Sequence, residues 1–181
     1  MPDMSMHWDG LAELKNRLAM LNEDVQRNVV RAAVGAGARE IAKEARLRAP
    51  RAEAAHWRAK GKKVSPGTLA RAIATGRLRS ESQPGREVWH VFVRHGKKEQ
   101  ARGRDAYYAS WVEFGHYYVP RRGGKGGIGG SLRQRRKLRS LSSARFVPGK
   151  PFMRPAFESK KEAAVQAMVD RLKQRLDKAG A

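Results

Sequence analysis

A chain of 181 residues is one domain's worth of material, since single cores typically serve roughly 100 to 200 residues. Forty per cent of it is apolar but only 7% aromatic, and 39 Lys plus Arg against 17 Asp plus Glu leave a formal charge of +22. Such an excess repels itself in a compact monomer and points toward an anionic counterpart. With no cysteine, a disulfide framework, a thiolate zinc site and a cysteine nucleophile are excluded, and the chain is expected to be intracellular when made. No apolar run approaches the roughly 18 to 20 residues that cross a bilayer, and Met1–Asp9 lacks a basic region followed by an apolar core. Neither a membrane span nor a signal peptide is therefore expected. The apolar content is too high for wholesale disorder, and no internal repeat is visible.

Leu11, Leu14, Leu18 and Leu21 fall at helical spacing and predict a helix of about three turns, with Asp9 as its N-cap. After Asn22-Glu23-Asp24, which offers a cap and acids for the positive helix end, Val25, Val29, Ala33, Gly37, Ile41 and Ala45 recur every fourth residue. This second helix is longer and is closed by Pro50. Its Ala32-to-Ala38 stretch is rich in Ala and Gly, so its face is expected to pack closely against a sheet or a neighbouring subunit. Residues 51–66 are basic and aperiodic, ending in the turn signal Ser65-Pro66-Gly67, and read as a loop. Thr68 to Leu78 reads as a helical turn running into a strand. Glu87 to Arg94, dense in β-branched and aromatic residues and punctuated by Gly85 and Gly96, reads as a strand.

Between Asp105 and Gly115, Tyr108, Trp111 and Val112 fall at helical spacing, and Gly115 suits a helix C-terminus. His116 to Phe157 contains no acid and eleven basic residues, among them Arg121, Arg122, Lys125, Arg133, Arg135, Arg136, Lys137 and Arg139, with six glycines between Gly123 and Gly130. That stretch is expected to be a loop ordered by a partner, because it buries too little apolar area to offset its ordering entropy. A final helix starts near Pro155, with Val165, Val169, Leu172 and Leu176 on one face. Glu158 and Glu162 near its start and Lys173, Arg175 and Lys178 near its end complement the helix dipole.

Chemical motifs are sparse. Gly124-Lys125-Gly126-Gly127-Ile128-Gly129 has the spacing G-x-G-x-x-G, but neither a buried strand before it nor a helix after it is in prospect, as a dinucleotide fingerprint requires. His7, His56, His90, His95 and His116 show no helical i, i+4 pair, so no metal site is expected. Ser110, Glu113 and His116 form a triad on paper only. No cofactor and no catalysis are expected. Glu113, the only acid between Asp105 and Glu158, is either an exposed ion-pair member or an anchor, intersubunit or buried, at the end of the aromatic helix.

Several blocks together resemble the HK97 gp10-like family of tailed-phage neck and tail-completion proteins. They are the Leu-rich first helix behind Gly10-Leu11, the second helix ending Ala45-Arg46-Leu47-Arg48-Ala49-Pro50, and Pro66-Gly67-Thr68-Leu69-Ala70-Arg71-Ala72-Ile73. The resemblance is strongest at Tyr108-Ala109-Ser110-Trp111-Val112-Glu113-Phe114-Gly115 and at Pro151-Phe152-Met153-Arg154-Pro155-Ala156-Phe157, and it spans nearly the whole chain.

The resemblance implies a single α+β domain over residues 1–181, with N-terminal helices and a long C-terminal helix packed on a small antiparallel sheet. Basic insertions at about 51–66 and 117–147 depart from the family pattern. It implies a structural virion protein that forms a homo-oligomeric ring, hexameric by analogy with tail symmetry, at the head–tail junction. Its partners would be other neck, connector or tail-tube proteins, with non-specific contact to packaged DNA and no membrane; it would sit in the virion, and in host cytoplasm during assembly. Trp111, Glu113, Phe114, Gly115, Phe152, Met153 and Pro155 would serve subunit packing or assembly, the Glu-Phe-Gly turn packing the aromatic helix on the sheet. The eight basic loop residues named above would meet DNA or an acidic partner. The competing expectation is a free-standing, non-specific nucleic-acid-binding protein. Against it, residues 1–28 carry five acids against three bases, so the charge excess belongs to the insertions.

Overall fold

The computed structural model describes residues 10–53, 56–58, 62–83, 86–118 and 145–179. Its frame is a pair of 26-residue helices, α2 (Glu23–Arg48) and α6 (Met153–Lys178), packed antiparallel along most of their length. What lets them approach is the small-residue face of α2. Ala33, Gly37, Ala38, Ala42 and Ala45 are buried on it, and a methyl group on Gly37 would sit 2.8 Å from the Ala164 carbonyl oxygen of α6 and overlap the Met168 side chain. The close approach, expected against a sheet or a neighbouring subunit, is made here to a helix of the same chain. Asn22 caps α2 by accepting the Asp24 N–H at 3.0 Å.

Helix α1 (Leu11–Ala19) folds back so that Leu14 meets Val29 and Leu176, with Leu18, Leu21, Val169 and Leu172 around them. Arg17 and Asp177 close this end of the molecule with a 2.8 Å ion pair. Asp9, the expected N-cap, lies outside the described residues, and the position before α1 is held by Gly10 at φ 84. Val25 departs from the expected stripe and is exposed. Its neighbour Gln26 instead faces the turn after α1, donating its side-chain amide to the Leu21 carbonyl at 2.7 Å.

Strands β1 (His56–Arg58) and β2 (Lys62–Val64) pair antiparallel as a short hairpin, which corrects the expectation of an irregular loop over 51–66. Helix α3 (Thr68–Ala72) runs directly into β3 (Ile73–Arg77), the expected helical turn followed by a strand. β3 pairs antiparallel with β4 (Trp89–Val93) in the register Ile73 to Val93 through Arg77 to Trp89. This two-stranded sheet packs on α2, and Arg46 of α2 donates two hydrogen bonds to the Ile73 carbonyl at 3.2 and 3.0 Å. At the other end of the sheet, Arg77 and Glu87 form a bidentate pair at 2.7 Å, with Arg31 of α2 at 3.6 Å from the same carboxylate. The Arg77 hydrogen bonds hold the Glu87 carboxyl below its ordinary pKa against the opposing effect of burial, so it stays charged and clasps helix to sheet.

A short α4 (Lys97–Ala101) precedes α5 (Ala109–Phe114), then β5 (His116–Tyr118), which pairs antiparallel with β6 (Arg145–Val147). The main core lies where α2, α3, β3, β4 and the start of α6 meet: Leu69, Ile73, Ala42, Ala45, Ala156 and Phe152 are all but sealed from solvent. The architecture is α+β, as expected.

Replacing Gly37 by valine adds bulk where α6 backbone stands in the way, a cost of overpacking of about 2 kcal/mol that exceeds the small helix-propensity gain. The thermal midpoint of Gly37→Val is expected to fall by about 4–8 °C. A calorimetric midpoint equal to or above that of the parent chain contradicts the close helix pairing.

Candidate assembly interface

Glu113 is the hinge of the region expected to serve assembly. It lies in the last turn of α5, and its carboxylate accepts the backbone N–H groups of Phe152 at 2.8 Å, Met153 at 3.0 Å and Arg154 at 3.1 Å. These are the free N–H groups of the first turn of α6, which no preceding side chain caps. A carboxylate there satisfies donors the helix leaves open and meets the positive end of its dipole. Burial pushes the Glu113 pKa up, but the three N–H bonds and the Arg154 charge together outweigh it and hold the carboxyl below its ordinary value. Of the two alternatives for this residue, the anchor is the one observed, within the chain and forty residues away in sequence.

The segments on either side of this contact lie against each other. Lys150 N–H donates to the Val112 carbonyl at 2.7 Å. Gly115 has φ 78, and a Cβ there would stand 2.7 Å from the Val147 oxygen; one on Gly149 would stand 2.7 Å from the Glu113 oxygen and the Gly115 nitrogen. Only glycine fits either position. Phe152 then enters the main core, with Met153 half-buried beside it and Pro155 as the third residue of α6, where it costs no hydrogen bond.

Outward from the clamp, the surface is aromatic. Tyr107 meets Trp111 edge-on with centroids 5.7 Å apart, Trp111 stacks on His116 at 5.6 Å, and Tyr117 lies against Phe146 at 5.2 Å. Of the ten large apolar side chains exposed among the described residues, six fall between Tyr107 and Val147: Tyr107, Trp111, Phe114, Tyr117, Phe146 and Val147. Phe114 is 69% exposed and Trp111 49%, so the turn offers these rings to solvent rather than to the sheet. Patches of this composition mark contact surfaces.

Arg121, Arg122, Lys125, Arg133, Arg135, Arg136, Lys137 and Arg139 lie outside the described residues, as does Gly124 to Gly129. The two ends of that basic segment are fixed, however, by the pairing of Tyr118 with Arg145. Ser110, Glu113 and His116 do not assemble a catalytic group: the Glu113 carboxylate is committed to α6, and the His116 Nδ1 has no hydrogen-bond partner among the described residues. Among the described residues no cluster of His, Asp or Glu is disposed to hold a metal, and no helix is long and apolar enough to cross a membrane.

Sequence reasoning missed Gly149, Tyr117 and Phe146. Only the Val147-Pro148-Gly149 turn hinted at the first, and the two rings become a surface only once β5 and β6 pair.

Residues 12–115 match the family model described as "Bacteriophage HK97-gp10, putative tail-component". The chain belongs to this HK97 gp10-like family. The match runs through both leading helices, the β3–β4 sheet and the aromatic helix, and it ends on Gly115, two residues past Glu113. No curated protein and no solved structure matches the chain. A gp10-like protein is a structural component of a phage tail.

Removing the clamp should be costly. Glu113→Ala leaves three first-turn N–H groups without their partner and is expected to cost about 2 kcal/mol, or about 4–8 °C in thermal midpoint. Because the folded pKa is depressed, the stabilisation is present above the unfolded glutamate value of about 4.3 and fades as pH falls through the lower folded value. Acid unfolding curves of the parent and Glu113→Gln should therefore converge below about pH 4; a constant gap from pH 7 down to 3 contradicts the carboxylate's role.

Proposed function

We propose that this tail component forms a closed homo-oligomeric ring at the head–tail junction of a tailed phage, six-fold by analogy with tail symmetry. It joins neck, connector or tail-tube proteins to one another. The observation that carries the reading is the exposed aromatic surface between Tyr107 and Val147, held rigid by the Glu113 clamp on a chain of a tail-component family. An apolar face of that kind is stable in solution only at a cost, and a neighbouring subunit or tail protein relieves it. The role is structural, exercised in the virion after assembly in host cytoplasm.

The basic segment connects β5 to β6 in sequence, and in this reading its eight Lys and Arg residues between 121 and 139 meet DNA in the channel or an acidic neighbouring ring. Phosphate contacts of this type add affinity without reading sequence and weaken steeply with salt.

Mixed with its connector-side and tube-side partners, the parent chain is expected to give rings by electron microscopy. A variant lacking residues 121–144 should keep its circular dichroism spectrum and melting transition yet fail to complete the junction. A chain that stays monomeric with every neck component overturns the ring. Tight duplex-DNA binding at physiological salt that survives the deletion, with no ring partner present, supports the free-standing nucleic-acid-binding alternative instead.

A further inference from the structure

A closed ring of identical subunits needs two different faces that fit each other, because every joint is made by one face of a subunit and another face of the next. The aromatic surface supplies the first. Its six large side chains are between 37% and 69% exposed. At the roughly 150–250 Å² that an aromatic side chain carries, they offer on the order of 600 Å² of accessible area. That approaches the roughly 800 Å² that each partner gives to a stable protein interface, so the fitting counterpart is another protein face rather than a small ligand.

The same chain carries a face of matching chemistry. Between α2, β4 and α6 lies a groove of about 450 Å³, to which Ala38 and Ile41 contribute from α2, Val91 from β4, and Met153 and Phe157 from α6. Phe157 is 51% exposed. The volume lies near the lower end of the roughly 300–1,000 Å³ of ligand pockets, room for one or two side chains. Phe114 is the most exposed of the six on the aromatic face and is the last residue of α5, next to the clamped Glu113. A fixed, exposed ring on one face and an apolar slot on another are the parts of a head-to-tail joint.

The charges agree with this pairing. Arg154 is the one charged residue in the groove lining, and its side chain makes no hydrogen bond or ion pair among the described residues. The aromatic face offers no free carboxylate to it: Glu113 is the only acid between Asp105 and Glu158, and both of its oxygens are taken by α6. What the face does offer is the π-clouds of Trp111, Tyr117 and Phe146, against which a guanidinium packs favourably. Aromatic residues, Met and Arg are also the types enriched in protein interfaces.

We infer that the aromatic face of one subunit seats on the groove between α2, β4 and α6 of a second copy of this chain, with Phe114 entering the groove and Arg154 lying against the neighbour's rings. The inference rests on the ring reading and names the face that completes each joint.

The test uses full-length chains in sedimentation velocity. Phe114→Ser/Tyr117→Ser disables the aromatic face and keeps the groove, whereas Phe157→Asp disables the groove and keeps the aromatic face. All three residues are exposed and outside the core clusters, so both variants should keep the parent's melting transition. Each variant alone should self-associate at least about thirtyfold more weakly than the parent, the loss that truncating one aromatic hot spot brings. Phe157→Leu should associate like the parent. An equimolar mixture of the two disabled variants should give a heterodimer and nothing larger, because it retains one intact joint. A mixture that stays monomeric, or a Phe157→Asp chain that assembles like the parent, overturns the pairing of these faces and leaves the ring itself standing. A parent that is monomeric by itself at millimolar concentration also overturns the pairing, whereas the ring falls only if the chain stays monomeric with every neck component.

Discussion

One carboxylate at the junction of two chain segments sets the geometry of the half of this molecule proposed to serve assembly. Glu113, in the last turn of α5, caps α6, taking the N–H groups of Phe152, Met153 and Arg154 at its start with both of its oxygens. Without it, the longest helix of the carboxy-terminal half would begin with bare donors beside the main core. With it, α6 starts where α5 stops, Phe152 is delivered into the core, and the paired glycines Gly115 and Gly149 bring the two backbones into contact. The pair of long helices provides the mass of the fold; the clamp determines what that mass presents.

What it presents is a combination uncommon on a monomer: aromatic rings in mutual contact on the outside, and next to them the root of a strongly basic segment. The +22 charge loses its first meaning in this setting. The described frame pairs much of its own charge, through Arg77 with Glu87, Arg17 with Asp177 and Arg48 with Glu44. Eight of the 22 excess positive charges fall in the acid-free stretch that connects β5 to β6 in sequence, the densest basic run of the chain. In the proposed assembly, apolar anchoring by the rings and long-range attraction by the basic segment would be separable tasks.

Much of this fold is legible in local sequence pattern. The four-residue spacing through Val29, Ala33, Gly37 and Ala45 marks the buried face of α2, and Leu176 with Val169 and Leu172 marks that of α6, because a helix repeats its core contacts at that interval. The Trp89 strand is equally plain from β-branched and aromatic density, whereas the Ile73 strand shows only as a helical turn running into a strand. What fails are contacts whose partners lie far apart or whose residues carry no apolar signal. The hairpin from His56 to Val64 is written in Lys, Arg and Ala, so composition hides it. Val25 fits the spacing yet faces out, while its neighbour Gln26 takes the inner position and bonds the turn after α1. Glu113 stands out in the sequence as a solitary acid, but its partner is a set of backbone N–H groups, which no side-chain pattern encodes. The surface of Tyr107, Trp111, Tyr117 and Phe146 is likewise a product of the clamp and of strand pairing rather than of periodicity.

The claim on which the rest depends is that Glu113 organises α5, the β5–β6 hairpin and the start of α6 as one unit. Native-state amide exchange across the parent and Glu113→Gln addresses it residue by residue. The account predicts that protection falls first and most at Phe152, Met153 and Arg154, then along β5 and β6, while the α2–α6 interface around Gly37 and the β3–β4 ladder keep theirs. Unchanged protection at the three α6 amides, or a uniform loss over the whole chain, would contradict it.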